Sequence, residues 1–270
     1  MKNKNSLLSS SLKGLYTFWA VSCFVIVFLV LYPVIFVFLQ RRSWKRVAHR
    51  LVRLWGQLFF LFSGIRVKIT HHVKLDPNQT YVFCSNHFSY MDIAVVVVVI
   101  RNYFSFVGKN AMKKIPLFGY LYARLNILVD RNDKNSRASS LSRSIRALQS
   151  GRSIVIFPEG GIRDGEHSIL SGAEMREGAF LLAAKAGCPV VPVVILGSER
   201  LYNRRNWLSW RRAKVYIAIG DPIFPAEGGR KQLRDDTAAA LIRWKDKLVE
   251  TCQLTEDDLP HSPQERMREP

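Results

Sequence analysis

The sequence predicts an α/β domain whose central sheet is covered by helices, preceded by an N-terminal membrane-embedded helix or helical hairpin. Three observations carry this. From residue 66 onward, short β-prone segments alternate with helical stretches, the order expected of one sheet with helices packed on it. Leu15 to Leu39 contains 25 residues without a charge. As a helix that run spans about 37 Å, more than the roughly 30 Å hydrocarbon layer of a bilayer. The run also sits in a region with no acidic residue before Asp76, so the cations around it face an anionic surface unopposed.

The N-terminal segment, residues 1–64, is read first as an anchor. A signal peptide has a similar outline, but its apolar stretch is shorter and needs a small-residue cleavage site where this chain has Gln40-Arg41-Arg42. The flank after the run carries Arg41, Arg42, Lys45, Arg46, Arg50 and Arg53, against Lys2, Lys4 and Lys13 before it. The positive-inside rule therefore places residue 41 onward in the cytoplasm, with a bacterial cytoplasmic membrane as the expected location. Pro33 leaves open whether the run spans the membrane or breaks into a re-entrant hairpin. A second apolar stretch, Val52 to Phe62, either joins the first in one leaflet with Trp55 at headgroup level or packs on the domain.

Residues 65–254 form the expected catalytic domain. Arg66 to Thr70, Tyr81 to Cys84, Ser153 to Phe157 and Lys214 to Ile219 read as strands. Asp92 to Ile100 is apolar throughout; propensity favours a strand, its place after an Asn-His cluster favours a buried helix, and periodicity does not decide. Ser139 to Ser150 spaces Leu141, Ile145 and Leu148 for a helix that Gly151 stops. Glu174 to Ala186 is a helix closed by Gly187, and Arg230 to Cys252 is a last amphipathic one. Val190 to Leu196 is a strand in which Pro192 removes a ladder donor, predicting an edge or an irregularity on that side. Residues 255–270, acidic and proline-rich, are expected to be disordered.

Forty Lys and Arg against 21 Asp and Glu give a net charge of +19, which points to a polyanion or phosphorylated ligand. Nucleic acid is the rival partner, but no helix-turn-helix, zinc module or RNA-binding signature is present. Arg200 to Lys214, with Tyr202, Trp207 and Trp210 among six cations, instead fits an interfacial rim at a lipid surface. Cys23, Cys84, Cys188 and Cys252 lie too far apart for a zinc cluster or a disulfide framework, and no metal is expected.

The chemistry is concentrated in Ser85-Asn86-His87-Phe88-Ser89-Tyr90-Met91-Asp92. If a helix starts near His87, Asp92 lies about one and a third turns on, able to hold one imidazole nitrogen while the other faces out as a base. By itself such a pair serves structure as readily as catalysis. The block resembles the first motif of the glycerolipid acyltransferase family, in which Asn-His is followed by four residues and Asp. Leu128-Val129-Asp130-Arg131 is similar to the second motif, Phe157-Pro158-Glu159-Gly160 to the third, and Val190-Val191-Pro192-Val193-Val194 to the fourth. The likeness covers about residues 65 to 220.

This resemblance implies a single glycerol-3-phosphate-acyltransferase-like domain and acyl transfer from acyl-CoA or acyl-carrier protein to a lysophospholipid, foremost 1-acyl-sn-glycerol 3-phosphate. Another lysophospholipid, glycerol 3-phosphate or a lyso-ornithine-type lipid is the alternative acceptor. The carrier is a co-substrate, and no cofactor is implied. His87 is the implied base and Asp92 its support, with no acyl-enzyme. Asn86, Lys109, Arg131, Glu159, Gly160 and Arg163 are implied to shape the acceptor site and hold its phosphate. The third motif departs from the family's Phe-Pro-Glu-Gly-Thr-Arg-Ser: Gly161 replaces the threonine, and Arg163 stands one position late, beside Asp164. Arg176 stands ahead of Gly178-Ala179, where the family often has a basic residue, and has no assigned role.

Overall fold

The computed structural model describes residues 2–163, 165–203, 206–226, 229–255 and 258–259. Helix α1, Lys2–Leu39, runs unbroken through Pro33. The reversal falls after it, where a short 3-10 turn at Arg42–Trp44 leads into α2, Lys45–Ser63. The two helices are antiparallel and joined by side chains that satisfy each other's carbonyls. Tyr16 donates to Ser63 O (3.1 Å), Trp19 to Phe62 O (3.0 Å) and Trp55 to Phe24 O (3.0 Å). Trp55 is thus buried in the hairpin and not seated among headgroups. The outward residues of α1, including Phe18, Ile26, Leu29 and Val30, are exposed, and Leu12–Leu39 is long and apolar enough to cross a membrane.

From β1, Arg66–His72, and β2, Val82–Ser85, the chain enters α3, Met91–Val99, so the ambiguous valine run is a helix. Burial explains why β-branched residues tolerate this: Val95, Val96 and Val99 lie inside the core, where packing outweighs a propensity difference of under 1 kcal/mol per residue. Strand β3, Phe104–Lys109, helix α4, Phe118–Leu125, and strand β4, Ile127–Val129, follow; periodicity in these short segments had not marked them. Helix α5, Lys134–Gln149, begins earlier than expected because Asp133 caps it, accepting from the Asn135 N–H at 2.9 Å. Strand β5 is Ser153–Ile156. Helix α6, Gly178–Ala186, begins later than expected because the Arg176 N–H is held by Pro158 O at 3.0 Å, outside helical geometry.

Strand β6, Val190–Leu196, precedes a small hairpin of β7, Tyr202–Asn203, and β8, Asn206–Trp210. Strand β9, Lys214–Ile219, and helix α7, Gly229–Cys252, complete the fold. Among the described residues seven strands form one sheet in the order β1-β9-β6-β2-β5-β3-β4, parallel except for β6 against β9. Strand β6 is therefore interior, correcting the edge reading of Pro192. The irregularity does fall beside the proline: β6 pairs with β9 only from Val193 to Leu196, and contact resumes at the Val190–Ile223 bridge. Only the carbonyl of Pro192 is used there, accepting from the Gly220 N–H at 2.9 Å.

Each sheet face has its own core, with α5, α6 and α7 on one side and α2 and α3 on the other. Strand β2 shows the period-two logic: Val82 and Cys84 join the first core, Phe83 the second. Trp210 packs edge-on against Phe59, and its backbone N–H donates to Thr17 Oγ1 at 3.0 Å, which joins β8 to both α1 and α2. The side chains of 202–209, Asp164, and most of the tail expected to be disordered lie outside the described residues. Helices α2 and α3 meet at Gly56, where a Cβ would lie 2.7 Å from Val98 Cγ2. Gly56→Val should cost roughly 1–3 kcal/mol, whereas Gly14→Val, with nothing within 4 Å, should cost far less. Thermal unfolding in detergent checks this, and equal melting temperatures for the two variants would refute it.

Candidate active site

The sheet order brings the carboxyl ends of β2, β5, β3 and β4 side by side; β2, β5 and β4 lead into the first, third and second sequence blocks, β3 ends at Lys109, and the fourth block is β6 itself, next to β2. Ligand sites in open parallel sheets collect at this edge because loops there can vary without disturbing the strands. Asn86, directly after β2, is fully buried. Its amide donates to Ile195 O (2.7 Å) and accepts from the Ile195 N–H (2.9 Å), closing a two-bond link to β6. Those bonds tie the Asn86 side chain to the sheet and fix the position of the turn that follows β2.

His87 Nδ1 lies 2.9 Å from Asp92 Oδ2. The same oxygen accepts the backbone N–H groups of Phe88 (2.8 Å) and Ser89 (2.9 Å). A carboxylate can only accept, so Nδ1 carries the proton and Nε2 is left as the basic nitrogen. Asp92 is completely buried in the first turn of α3, where the helix dipole also favours negative charge. The imidazole lies flat on Phe157, with ring centroids 4.1 Å apart and planes at 16°, and keeps 10% side-chain exposure.

Glu159 underlies this arrangement. One oxygen accepts the His87 N–H at 2.9 Å; the other accepts Ser168 Oγ–H at 2.7 Å and the Ile169 N–H at 3.1 Å. Burial pushes its carboxyl above the usual range, opposed by these donors. The loop then returns: the Arg163 N–H donates to His87 O at 3.0 Å, and the Arg163 guanidinium lies 3.4 Å from Glu159 O. Glu159 is therefore a scaffold residue whose oxygens are occupied. Ser168 and the Phe157 stack were not foreseen, and no spacing signal marks them.

Arg131 follows β4 in a loop shaped by Asp130, whose side chain accepts the Asn132 N–H at 3.1 Å. Its guanidinium donates to Gly160 O, and burial, then Arg176, hold its pKa below the ordinary arginine value. Gly160 has φ +76°, and a Cβ there would collide with Arg176. Arg131, Gly160 and Arg176 border a cavity of about 500 Å³ that also meets Lys134 and Arg137. Lys109 and Arg163 do not line it; Lys109 ends β3 with an exposed side chain. Neither Cys84 nor Ser89 is placed as a nucleophile: burial pushes the Cys84 thiol up to about 12, and Ser89 Oγ accepts the Met91 N–H at 3.2 Å.

Residues 65–196 match the family model described as Acyltransferase. Over 187 residues the chain is 30% identical to the 1-acyl-sn-glycerol-3-phosphate acyltransferase of Haemophilus influenzae, covering 68% of this chain and 74% of that one. The chain belongs to the acyltransferase family. It is also 33% identical over 168 residues to the lyso-ornithine lipid O-acyltransferase of Rhizobium meliloti, covering 60% of this acyltransferase and 52% of that protein. In fold it is similar to the crystal structure of the 1-acyl-sn-glycerophosphate acyltransferase of Thermotoga maritima. The TM-score is 0.68 at 21% identity, over 88% of this chain and 97% of that one.

Glu159→Gln tests the scaffold. An amide must turn its NH₂ toward either the His87 N–H or the Ser168 and Ile169 donors, setting donor against donor. Loss of such a contact is worth about 1–3 kcal/mol, so kcat should fall at least roughly 10-fold and the melting temperature should drop. Unchanged kcat and melting temperature would show that the carboxylate is dispensable.

Proposed function

We propose that this acyltransferase moves an acyl chain from acyl-CoA or acyl-carrier protein to the free hydroxyl of 1-acyl-sn-glycerol 3-phosphate, giving phosphatidic acid. The observation that carries the reading is the His87–Asp92 pair, in which Nδ1 is engaged and Nε2 is open. In the proposed step Nε2 takes the hydroxyl proton as the oxygen bonds to the thioester carbon. The C–S bond breaks, and the leaving thiolate recovers the proton from the imidazolium, whose charge Asp92 supports. A thioester is already activated, so alignment and proton removal supply most of the acceleration, and no acyl-enzyme is required.

A phosphorylated acceptor is supported by the cationic cavity beside Gly160, with Arg131 as the proposed phosphate contact. A lyso-ornithine-type acceptor, with an amino-acid headgroup in place of a phosphate, is the second reading, favoured by the likeness to the Rhizobium meliloti enzyme. The exposed apolar face of α1 and the basic turn at 41–46 support attachment to a bacterial cytoplasmic membrane with the catalytic domain inside.

The test is an assay of membrane-extracted full-length protein against phosphorylated and unphosphorylated lyso-acceptors, with both carriers. His87→Ala should lose at least about 10²-fold in kcat, the lower end of what a positioned base contributes. Labelled donor alone should leave no covalent acyl-protein. Full activity in folded His87→Ala, or a stable acyl adduct on Ser89 or Cys84, would contradict direct transfer.

A further inference from the structure

We propose that Arg176 forms, with Arg131, a two-guanidinium clamp over Gly160 that holds the acceptor phosphate and selects a dianionic phosphate monoester over diester or zwitterionic headgroups. The proposal rests on the acceptor reading above and extends it to a residue with no assigned role. Two independent chain segments converge on one glycine. Arg131 arrives from the end of β4 and donates to Gly160 O. Arg176 arrives from the segment before α6, fixed by its own N–H on Pro158 O at 3.0 Å, and fills the space a side chain on Gly160 would need. Gly160 is thus required twice, for its positive φ and for the approach of the second arginine.

Like charges so placed repel, and the lowered pKa of Arg131 names Arg176 as the second contributor after burial. Among the described residues neither guanidinium pairs with a carboxylate. The acids nearest Arg176 in sequence are drawn away by α7: Glu174 lies 3.5 Å from Arg234, and Glu177 lies 3.4 Å from both Arg230 and Arg234. Lys134 and Arg137 add charge at the same cavity, and among the described residues no Asp or Glu lines it. A guanidinium pair without a counter-ion is matched by an anion of charge near −2 offering several oxygens. A phosphate monoester at neutral pH is such an anion, and a diester or zwitterion is not.

The clamp also answers the departures in the third motif. Arg163, one position late, holds His87 O with its backbone N–H, turns its guanidinium to Glu159 O and does not line the cavity. Gly161, in place of threonine, would have nothing within 4 Å of a Cβ. Arg176 supplies from the other side the charge that this loop does not. Register with the base is kept by short links: Gly160 N–H bonds Phe157 O at 3.0 Å, and Phe157 stacks on His87.

The experiment compares wild type, Arg176→Ala, Arg176→Lys, Arg131→Ala and the double alanine variant as full-length, detergent-extracted protein. Read out are acceptor KM, donor KM, the monoester-to-diester activity ratio, and inhibition by glycerol 3-phosphate. Arg176→Ala should lower acceptor kcat/KM by about 10- to 150-fold, chiefly through KM, with the donor KM unchanged. The monoester preference should narrow, glycerol 3-phosphate should inhibit more weakly, and Arg176→Lys should recover part of the loss. The two alanine effects should combine less than additively, since both arginines hold one anion. A wild type that prefers the monoester while Arg176→Ala leaves acceptor KM and preference unchanged overturns the clamp alone. A wild type with no monoester preference overturns the clamp and the acceptor reading together.

Discussion

One oxygen of Asp92 organises the site. Oδ2 receives the His87 ring N–H and the backbone N–H groups of Phe88 and Ser89, all within 2.9 Å, on a fully buried side chain in the first turn of α3. A carboxylate without water around it must be compensated, and bonds to a charged group contribute about 1.5–3 kcal/mol each. Satisfying that charge folds residues 87–92 into a single shape. The imidazole is left with one direction to point and one nitrogen to offer.

The rest of the site is a set of braces on that turn. Asn86 bonds it to β6 through both atoms of its amide, Glu159 bonds its backbone to the loop after β5, and Arg163 closes the loop on His87 O. The buried side chains of Asn86 and Glu159 thus join the first block to β6 and to the third block. The cationic groups stand elsewhere at the same sheet edge, around Gly160. Neighbouring residues of one motif face different ways: Glu159 lies inward and Gly160 lines the cavity.

The order of strands and helices was legible in the sequence where hydrophobic runs were bounded by turns, as at β9, whose limits Lys214–Ile219 match the reading. It was not legible at α3, because five consecutive valines carry no period and only burial on both sides makes them helical. Pro192 left an edge and an irregularity as alternatives, and the structure has the irregularity: an interior strand tolerates the missing donor where its neighbour's ladder has already ended. At the site, the five-residue spacing of His87 and Asp92 is visible in the sequence. The inward roles of Asn86 and Glu159 depend on partners 109 and 72 positions away, Ile195 and His87, which spacing cannot show. Arg176 was unassignable for the same reason: its significance comes from sharing Gly160 with Arg131, across 45 residues of chain.

The central claim is that the charge on Asp92 acts through His87, beyond holding the fold. Asp92→Asn keeps an oxygen that can accept the Phe88 and Ser89 N–H groups but removes the negative charge behind the imidazolium and allows an amide N–H to face the ring. Steady-state kinetics of this variant, with its circular dichroism and melting curve, is the most direct measurement. The account predicts a folded protein with both KM values nearly unchanged and kcat reduced by at least about 10²-fold. A folded Asp92→Asn protein turning over at the wild-type rate would contradict it.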